Sequence, residues 1–320
     1  GVLLAAEDAK SDGINTDISV FDSDEYENIK LLALSGKLDN SDLILGPVLS
    51  KDIERILPFA NERGIPLASP LDSRAEFLTI ENPWIYQLTT PIEMQQSNLL
   101  SSLTGNEHIT IIHEAGNADK ELFETSVNYL NTNSLHYNTF SYSVVKDKSY
   151  YNQIVSLLNH DELNHIIIPS ASEAFVYDIL RNLNLMSTMA GYKIKIYGTS
   201  RWRNFELVDL SYFHSMNLTI SMSYFVDYSN PKVKEFLFRY RALYQNEPSA
   251  YAFQGYDLTY FFLTYWSVYG KNYDKITEVT GKMLQSDISF IKRGEGFINS
   301  ATRKVEYLPG FLVQSSSFNR

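Results

Sequence analysis

Short apolar runs alternate with amphipathic stretches along most of the 320-residue chain. Residues 43–45 have the length of a buried strand, and the residues after them repeat apolar side chains at the spacing of a helix face. The same pattern predicts a helix over 2–10, a strand over 17–21 and a terminal hairpin of 296–298 with 307–314. The chain is therefore of the mixed α/β class.

The strand–helix units fall into two series. Repeated units of this length form mostly parallel sheets that helices cover on both faces. We therefore predict two doubly wound lobes with a cleft between them. Residues 1–90 and 227–289 are assigned to lobe 1, and residues 91–226 and 290–320 to lobe 2, where the terminal hairpin crosses the hinge.

The loops that follow the predicted strands hold the candidate binding residues. Ligands of doubly wound sheets bind beyond the carboxyl ends of the strands. The loops span residues 46–51, 69–74, 113–119, 169–172 and 198–203. We predict a binding site formed by Ser50, Lys51, Ser69, Asp72, Ser73, Arg74, Glu114, Ser170, Ser172, Ser200, Arg201 and Trp202.

Two interpretations of these residues stay open. Ser50 follows a Gly-Pro pair and stands where the N-cap of the next helix belongs, so its loop either offers donors to a ligand or only caps the helix. Arg201 and Trp202 either clamp an anion and stack on a sugar or base, or pair with a helix end and fill the lobe interface. Residues 72–74 face the same choice, because they also read as an N-cap followed by a solvated arginine.

Composition excludes several functions. A net charge of −11 and a pI near 5.1 argue against nucleic acid or an anionic membrane surface as a partner. The absence of cysteine excludes disulfides, thiolate metal sites and thiol catalysis. No run approaches the roughly 18 apolar residues of a membrane span. The chain opens inside a helical pattern without a methionine, so we expect a larger precursor with an N-terminal targeting segment.

The sequence offers no arrangement of residues typical of catalysis. His160 and His165 are five residues apart, which does not match the helix face of a zinc protease. There is no G-x-S-x-G elbow, no P-loop and no dinucleotide-binding fingerprint. We therefore predict a protein that is not an enzyme and that uses no metal and no cofactor.

Several stretches resemble one family in the right order along nearly the whole chain. "DLILGPVLSKDIERILPFANERGIPLASP" resembles the first-lobe signature of the type I periplasmic binding proteins, the branched-chain amino acid receptor class. "HITIIHEAGNADKELFETSVNYL" resembles the opening of the second lobe. Three further stretches resemble later landmarks of the family, namely "YKIKIYGTSRW", "SAYAFQGYDLTYFFLTYW" and "GFINSATRKVEYLPGFLVQ".

The resemblance implies a periplasmic or otherwise extracytoplasmic receptor, of the ABC transporter solute-receptor kind, that closes on a small ligand. Two departures qualify it. The first strand of lobe 1, which lies centrally in that sheet in the family, is missing before Gly1. Members that bind amino acids hold the ammonium group with an acid where Ser200 and Arg201 stand here, and they place an aromatic in the loop that reads "HEAGNAD". The departures favour an anionic or hydroxyl-rich ligand over an α-amino acid.

The loop "YGTSRW" also resembles the corresponding loop of an outer-membrane lipoprotein that has the same fold and activates a peptidoglycan synthase. That resemblance rests on loop length. It implies an alternative function, in which the chain is an interaction module of the cell envelope that docks a protein partner.

Overall fold

The computed structural model describes residues 1–25, 29–116, 119–144, 150–270 and 272–318. The chain divides into two compact units. Unit 1 comprises Gly1–Pro91, Ser223–Thr302 and Ser317–Arg320, and unit 2 comprises Ile92–Met222 and Arg303–Ser316. Unit 1 thus includes residues 223–226, 290–302 and 317–318, which the sequence pattern assigns to lobe 2.

Unit 1 contains a six-stranded sheet in the order β1-β2-β3-β11-β10-β9. The first four strands run parallel, and β10 is antiparallel to both of its neighbours. The strands are β1 (Ile44–Leu45), β2 (Leu67–Ser69), β3 (Ile85–Gln87), β9 (Thr280–Lys282), β10 (Asp287–Arg293) and β11 (Gly296–Asn299). The helices are α1 (Val2–Ser11), α2 (Ile29–Leu34), α3 (Ser50–Arg63), α9 (Pro231–Tyr244) and α10 (Ala250–Tyr269), with 3-10 turns at Ser23–Glu25, Ser73–Ile80 and Tyr273–Glu278.

Two cores lie on the two faces of this sheet. Leu67 and Ile85 pack with residues of α2 and α3. Their successors Ala68 and Tyr86 pack instead with the aromatic side chains of α10. Because successive residues of a strand point to opposite faces, the alternation shows that helices cover both faces, as doubly wound sheets require.

Unit 2 contains a seven-stranded sheet in the order β13-β12-β8-β7-β6-β4-β5, in which the run from β8 to β5 is parallel. The strands are β4 (His108–Glu114), β5 (Tyr137–Tyr142), β6 (Leu163–Ile167), β7 (Lys193–Tyr197), β8 (Thr219–Met222), β12 (Thr302–Leu308) and β13 (Leu312–Phe318). The helices are α4 (Ile92–Leu100), α5 (Lys120–Thr132), α6 (Tyr151–Val155), α7 (Glu173–Ala190) and α8 (Leu210–Ser215), with a 3-10 turn at Ser200–Asn204.

Local signals placed several helix ends correctly. α3 ends at Gly64, whose φ of 64° is the left-handed conformation that glycine adopts without strain. α9 begins at Pro231, and the side chain of its N-cap, Asn230, accepts a hydrogen bond from the Lys232 N–H. Both ends lie where these local signals place them.

Two strand predictions were wrong. Residues 17–21 alternate like a strand but are irregular, and Val20 is 84% exposed, because no strand of the described residues pairs with them. The terminal hairpin pairs differently, because β11 joins β10 through Arg293 and Gly296 whereas β12 pairs with β8. Among the helices of the described residues, none has the length and apolar content needed to cross a membrane.

Candidate functional site

The two strand-end loops of unit 1 meet at Asp72. Its carboxylate accepts a hydrogen bond of 2.9 Å from the backbone N–H of Ser50, the first residue of α3. The same carboxylate accepts the N–H of Arg74 at 3.0 Å. Ser50 was expected to be the N-cap of α3, but Leu49 holds that position, and the helix has no side-chain cap of its own. The Asp72 carboxylate therefore takes the place of a side-chain N-cap at the N-terminus of α3.

Arg74 forms a two-point ion pair with the same carboxylate. Its Nε and Nη2 donate to the two carboxylate oxygens of Asp72 at 2.9 and 3.0 Å. The guanidinium holds the pKa of Asp72 well below its usual range. The Arg74 side chain is 75% exposed and that of Asp72 only 9%. The ion pair neutralises the charge of Arg74, so this candidate binding residue is already engaged within the protein.

Four side chains hold the carbonyl groups of residues 70–72. Tyr224 and Gln254 both donate to the Pro70 oxygen at 2.9 Å. Thr89 donates to the oxygen of Leu71. Gln87 donates to the carbonyl oxygen of Asp72 at 3.0 Å. The loop that carries Asp72 is thus fixed by side chains from β3, from the residues that follow it, and from the second stretch of unit 1.

The other candidate residues of unit 1 differ in accessibility. Ser69 is fully buried at the end of β2, and its hydroxyl has no hydrogen-bond partner among the described residues. It is the register partner of Gln87. Ser73 and Lys51 are exposed. Unit 1 therefore offers Lys51, Ser73 and the outer face of Arg74 to solvent, while Ser69 lies beneath the surface.

Ser170 is the centre of the strand-end loops in unit 2. Its hydroxyl donates to Oδ2 of Asp119 at 2.5 Å and accepts the N–H of Ser172. Its carbonyl accepts the indole N–H of Trp202 at 2.8 Å and the hydroxyl of Thr199 at 3.4 Å. Ser170 was predicted to bind a ligand, but it is fully buried and its polar groups already join the ends of β6 and β7 to α5.

Trp202 corrects the hypothesis of a ligand-stacking indole. The side chain is only 1% exposed and lies parallel to the ring of Phe213 at 6.0 Å between centroids. Gly198 leaves room for it, since a Cβ there would lie 2.6 Å from the indole ring. The aromatic ring therefore fills the core of unit 2.

The remaining candidates of unit 2 lie closer to solvent. Ser172 caps α7 by accepting the N–H of Phe175. The Ser200 hydroxyl donates to Oε1 of Gln95 at 3.2 Å. Arg201 is exposed, and Glu114 is half-buried at the end of β4. Arg201 is thus an exposed cation at the strand ends of unit 2, beside two serines that already make hydrogen bonds within the protein.

The histidines near the predicted strand ends bind groups within the protein. The ring of His113 packs against that of Phe123 at 4.1 Å between centroids, and burial lowers the pKa of His113. His160 and His165 lie on opposite sides of a turn and bind the Ala190 carbonyl and the Tyr197 hydroxyl. Within the described ranges no group of three or more acids and histidines could hold a metal ion. Part of the loop "HEAGNAD", Asn117 and Ala118, lies outside the described residues.

The sequence did not reveal the residues that support the unit 1 loop. Gln87 and Thr89 stand in the run "YQLTT", where alternate residues on one face of a strand are polar. That alternation was a usable signal. Tyr224 and Gln254 lie far away in sequence, and no local pattern connects them to residue 70.

The architecture matches a known fold. The chain has the two-lobed α/β fold of the type I periplasmic binding proteins. No family model and no curated protein sequence matches it. The fold is shared with a structure described as a branched-chain amino acid ABC transporter from Rhodospirillum rubrum, at 13% identity and a TM-score of 0.71, covering 98% of this chain and 93% of that one.

Two further solved structures are similar. One is a branched-chain amino acid ABC transporter periplasmic ligand-binding protein from Burkholderia xenovorans, with 12% identity, a TM-score of 0.64 and coverage of 99% and 89% of the two chains. The other is an ABC transporter substrate-binding protein from Desulfitobacterium hafniense in complex with Leu, with 12% identity, a TM-score of 0.59 and coverage of 98% and 94%. At these identities the similarity concerns the fold.

Proposed function

We propose that this protein is an extracytoplasmic, non-catalytic binding protein of the solute-receptor kind, and that it takes up a small polar ligand. The observation that carries the proposal is the fold, combined with polar loops at the carboxyl ends of the parallel strands in both units. Such loops are where ligands of doubly wound sheets bind. The similar structures from Burkholderia xenovorans and Desulfitobacterium hafniense are a ligand-binding and a substrate-binding protein of ABC transporters, which supports the same role here.

Arg201 favours an anionic or hydroxyl-rich ligand. Its guanidinium is exposed at the end of β7. An amine would meet a like charge there, whereas a carboxylate or a set of hydroxyls would find up to five N–H donors. Lys51 and Ser73 offer further exposed donors at the strand ends of unit 1.

A thermal-shift screen tests this function. The panel contains amino acids, sugars, nucleosides and peptidoglycan fragments. A ligand that binds only the folded state stabilises it by about 2.7 kcal/mol at a hundredfold excess over Kd, so its melting temperature must rise with ligand concentration. Arg201→Gln should weaken binding of the hit, and Lys10→Gln, which removes one positive charge from the C-terminal turn of α1, should not. A panel without any concentration-dependent shift would contradict the receptor function.

A second candidate is an envelope interaction module, and an exposed apolar patch favours it. Leu210, Phe311, Leu312 and Val313 are 57%, 70%, 60% and 44% exposed. Phe311 contacts the ring of His214 at 4.9 Å, and His214 lies one helical turn after Leu210. His214 thus links Leu210 with Phe311 on unit 2, and Leu312 and Val313 follow Phe311 in the chain. We call these four exposed residues the hairpin patch. Exposed apolar patches mark protein docking sites.

Site-specific photo-crosslinking in cells separates the two functions. A crosslinker at position 311 should capture one discrete partner under the second function. The same crosslinker at Met189, which is 83% exposed on α7, is the matched control. Equal labelling at both positions, together with a saturable ligand from the screen, would leave the receptor function standing and remove the interaction module.

A further inference from the structure

We infer that Asp72 determines ligand specificity in unit 1: its carboxylate occupies the N-terminus of α3, so this unit excludes anions there and recognises uncharged, hydrogen-bonding groups. This inference rests on the proposed binding function and narrows the ligand class within it. It goes against an anion-binding role for Ser50, because the Ser50 N–H is already bonded inside the protein.

The N-terminus of α3 attracts negative charge. The N-terminus of a helix carries a partial positive charge and unpaired N–H groups, which together attract anions. α3 has 14 residues and no side-chain cap from its N-cap residue. Asp72 supplies the anion from within the chain, at 2.9 Å from the Ser50 nitrogen. A second carboxylate at the same place would meet a like charge.

Several hydrogen bonds hold Asp72 in this position. Its carboxylate receives the Ser50 N–H, the Arg74 N–H and two guanidinium N–H groups. The carbonyl oxygen of the same residue accepts the amide of Gln87. An incoming anion would have to displace a carboxylate that makes four hydrogen bonds and is 9% exposed. Displacement would also leave the charge of Asp72 without its partners, which is unfavourable away from water.

Two buried polar groups close to Asp72 can still form hydrogen bonds. The Oε1 atom of Gln87 and the hydroxyl of Ser69 are buried, and neither has a partner among the described residues. They are register partners on β3 and β2, and the Gln87 amide already touches Asp72. An amide oxygen accepts hydrogen bonds, and a hydroxyl both accepts and donates. A hydroxyl or an amide N–H of a ligand can donate to the Gln87 oxygen, whereas an ionised carboxylate has no proton to donate to it.

The experiment asks whether removing Asp72 creates an anion site. Inorganic phosphate is the probe, with sodium chloride at matched ionic strength as the reference, and the readouts are calorimetric titration and the NMR shift of the Ser50 amide. The wild-type protein should show no phosphate-specific binding. Asp72→Ala should gain saturable binding, tighter by about tenfold or more, with a shifted Ser50 amide. Arg74→Ala, which keeps the carboxylate on Ser50, should gain nothing.

Phosphate binding to the wild-type protein at the Ser50 amide would overturn the inference, and so would an Asp72→Ala variant that gains no affinity. If that variant does not fold, Asp72→Asn, which keeps the size and removes the charge, decides in its place by the same criterion. The outcome is independent of the ligand screen. A screen without hits refutes the binding function while Asp72 still excludes phosphate, and a carboxylate ligand on Ser50 refutes the inference while the binding function stands.

Discussion

Replacing Trp202 tests whether the indole supports the core of unit 2 or serves a ligand. Trp202→Phe removes the N–H that donates to the Ser170 carbonyl at 2.8 Å and part of a ring that is 1% exposed. The carbonyl keeps only the longer bond from Thr199, at 3.4 Å. The Ser170 loop therefore loses its closer donor at the end of β6.

The expected cost follows from these contacts. An under-satisfied buried carbonyl costs about 1–3 kcal/mol, and the smaller ring adds the cost of a cavity, so Trp202→Phe should destabilise unit 2 by about 2–4 kcal/mol. Trp202→Ala should reach about 5 kcal/mol, the upper end for large aromatic side chains. Arg201→Ala, the exposed neighbour, should stay within about 0.5 kcal/mol of the wild-type value.

Urea unfolding followed by far-UV circular dichroism measures these free energies, and peptide-resolved hydrogen exchange shows in which unit the loss occurs. The other two tryptophans, Trp84 and Trp266, lie in unit 1, so fluorescence of Trp202→Phe reports that unit separately. Exchange should accelerate in the peptides around Ser170 and leave unit 1 unchanged. A loss below about 1 kcal/mol for Trp202→Ala would refute the assignment of the indole to the core.

Three further predictions follow from individual contacts. Burial raises the pKa of Asp257 to about 6, so the folded state binds more protons than the unfolded chain between pH 4 and 6, and stability should fall by about 3 kcal/mol as pH rises through that window. Asp257→Asn should remove this pH dependence in urea titrations, and an unchanged profile would contradict the assignment. Gly198→Ala should cost about 1–3 kcal/mol, because its Cβ would lie 2.6 Å from the Trp202 ring; a melting temperature equal to wild type would show that the ring can move. Tyr224→Phe removes a donor to Pro70, so it should cost about 1 kcal/mol and speed hydrogen exchange around residue 71; protection equal to wild type would show that Gln254 holds the loop alone.

Local patterns were sufficient to place several helices and their ends. Asn230 before Pro231, and Gly64 after the helix, mark ends that depend on neighbouring residues only, so the sequence alone placed them. The prediction of a strand over 17–21 was wrong, because strand formation depends on residues outside the segment. The segment does alternate apolar and polar residues, but a strand also needs a partner strand, and the segment alone does not determine that pairing.

The candidate site was predictable by position and less so by role. Topology placed Asp72 and Ser170 at strand ends, where the structure has them. Whether such a side chain faces a ligand or the protein depends on contacts with distant residues, such as Ser170 with Asp119 and Asp72 with Ser50. The burial of Trp202 likewise depends on Phe213 and on the missing side chain of Gly198. Spacing along the chain contains no information on these contacts.

The order of strands in unit 1 constrains how the protein is made. β11 pairs with β3, although about 200 residues separate them along the chain. Tyr224 and Gln254, which donate hydrogen bonds to the Pro70 carbonyl, are also synthesised long after it. During synthesis, residues 1–91 therefore leave the ribosome before β11 is made, with β3 as an open sheet edge. Unit 2 emerges next with all five of its parallel strands, so it can fold while unit 1 is still incomplete. A nascent chain arrested soon after Met222 should thus expose the edge of β3 to chaperones, and release past Asn299 closes it.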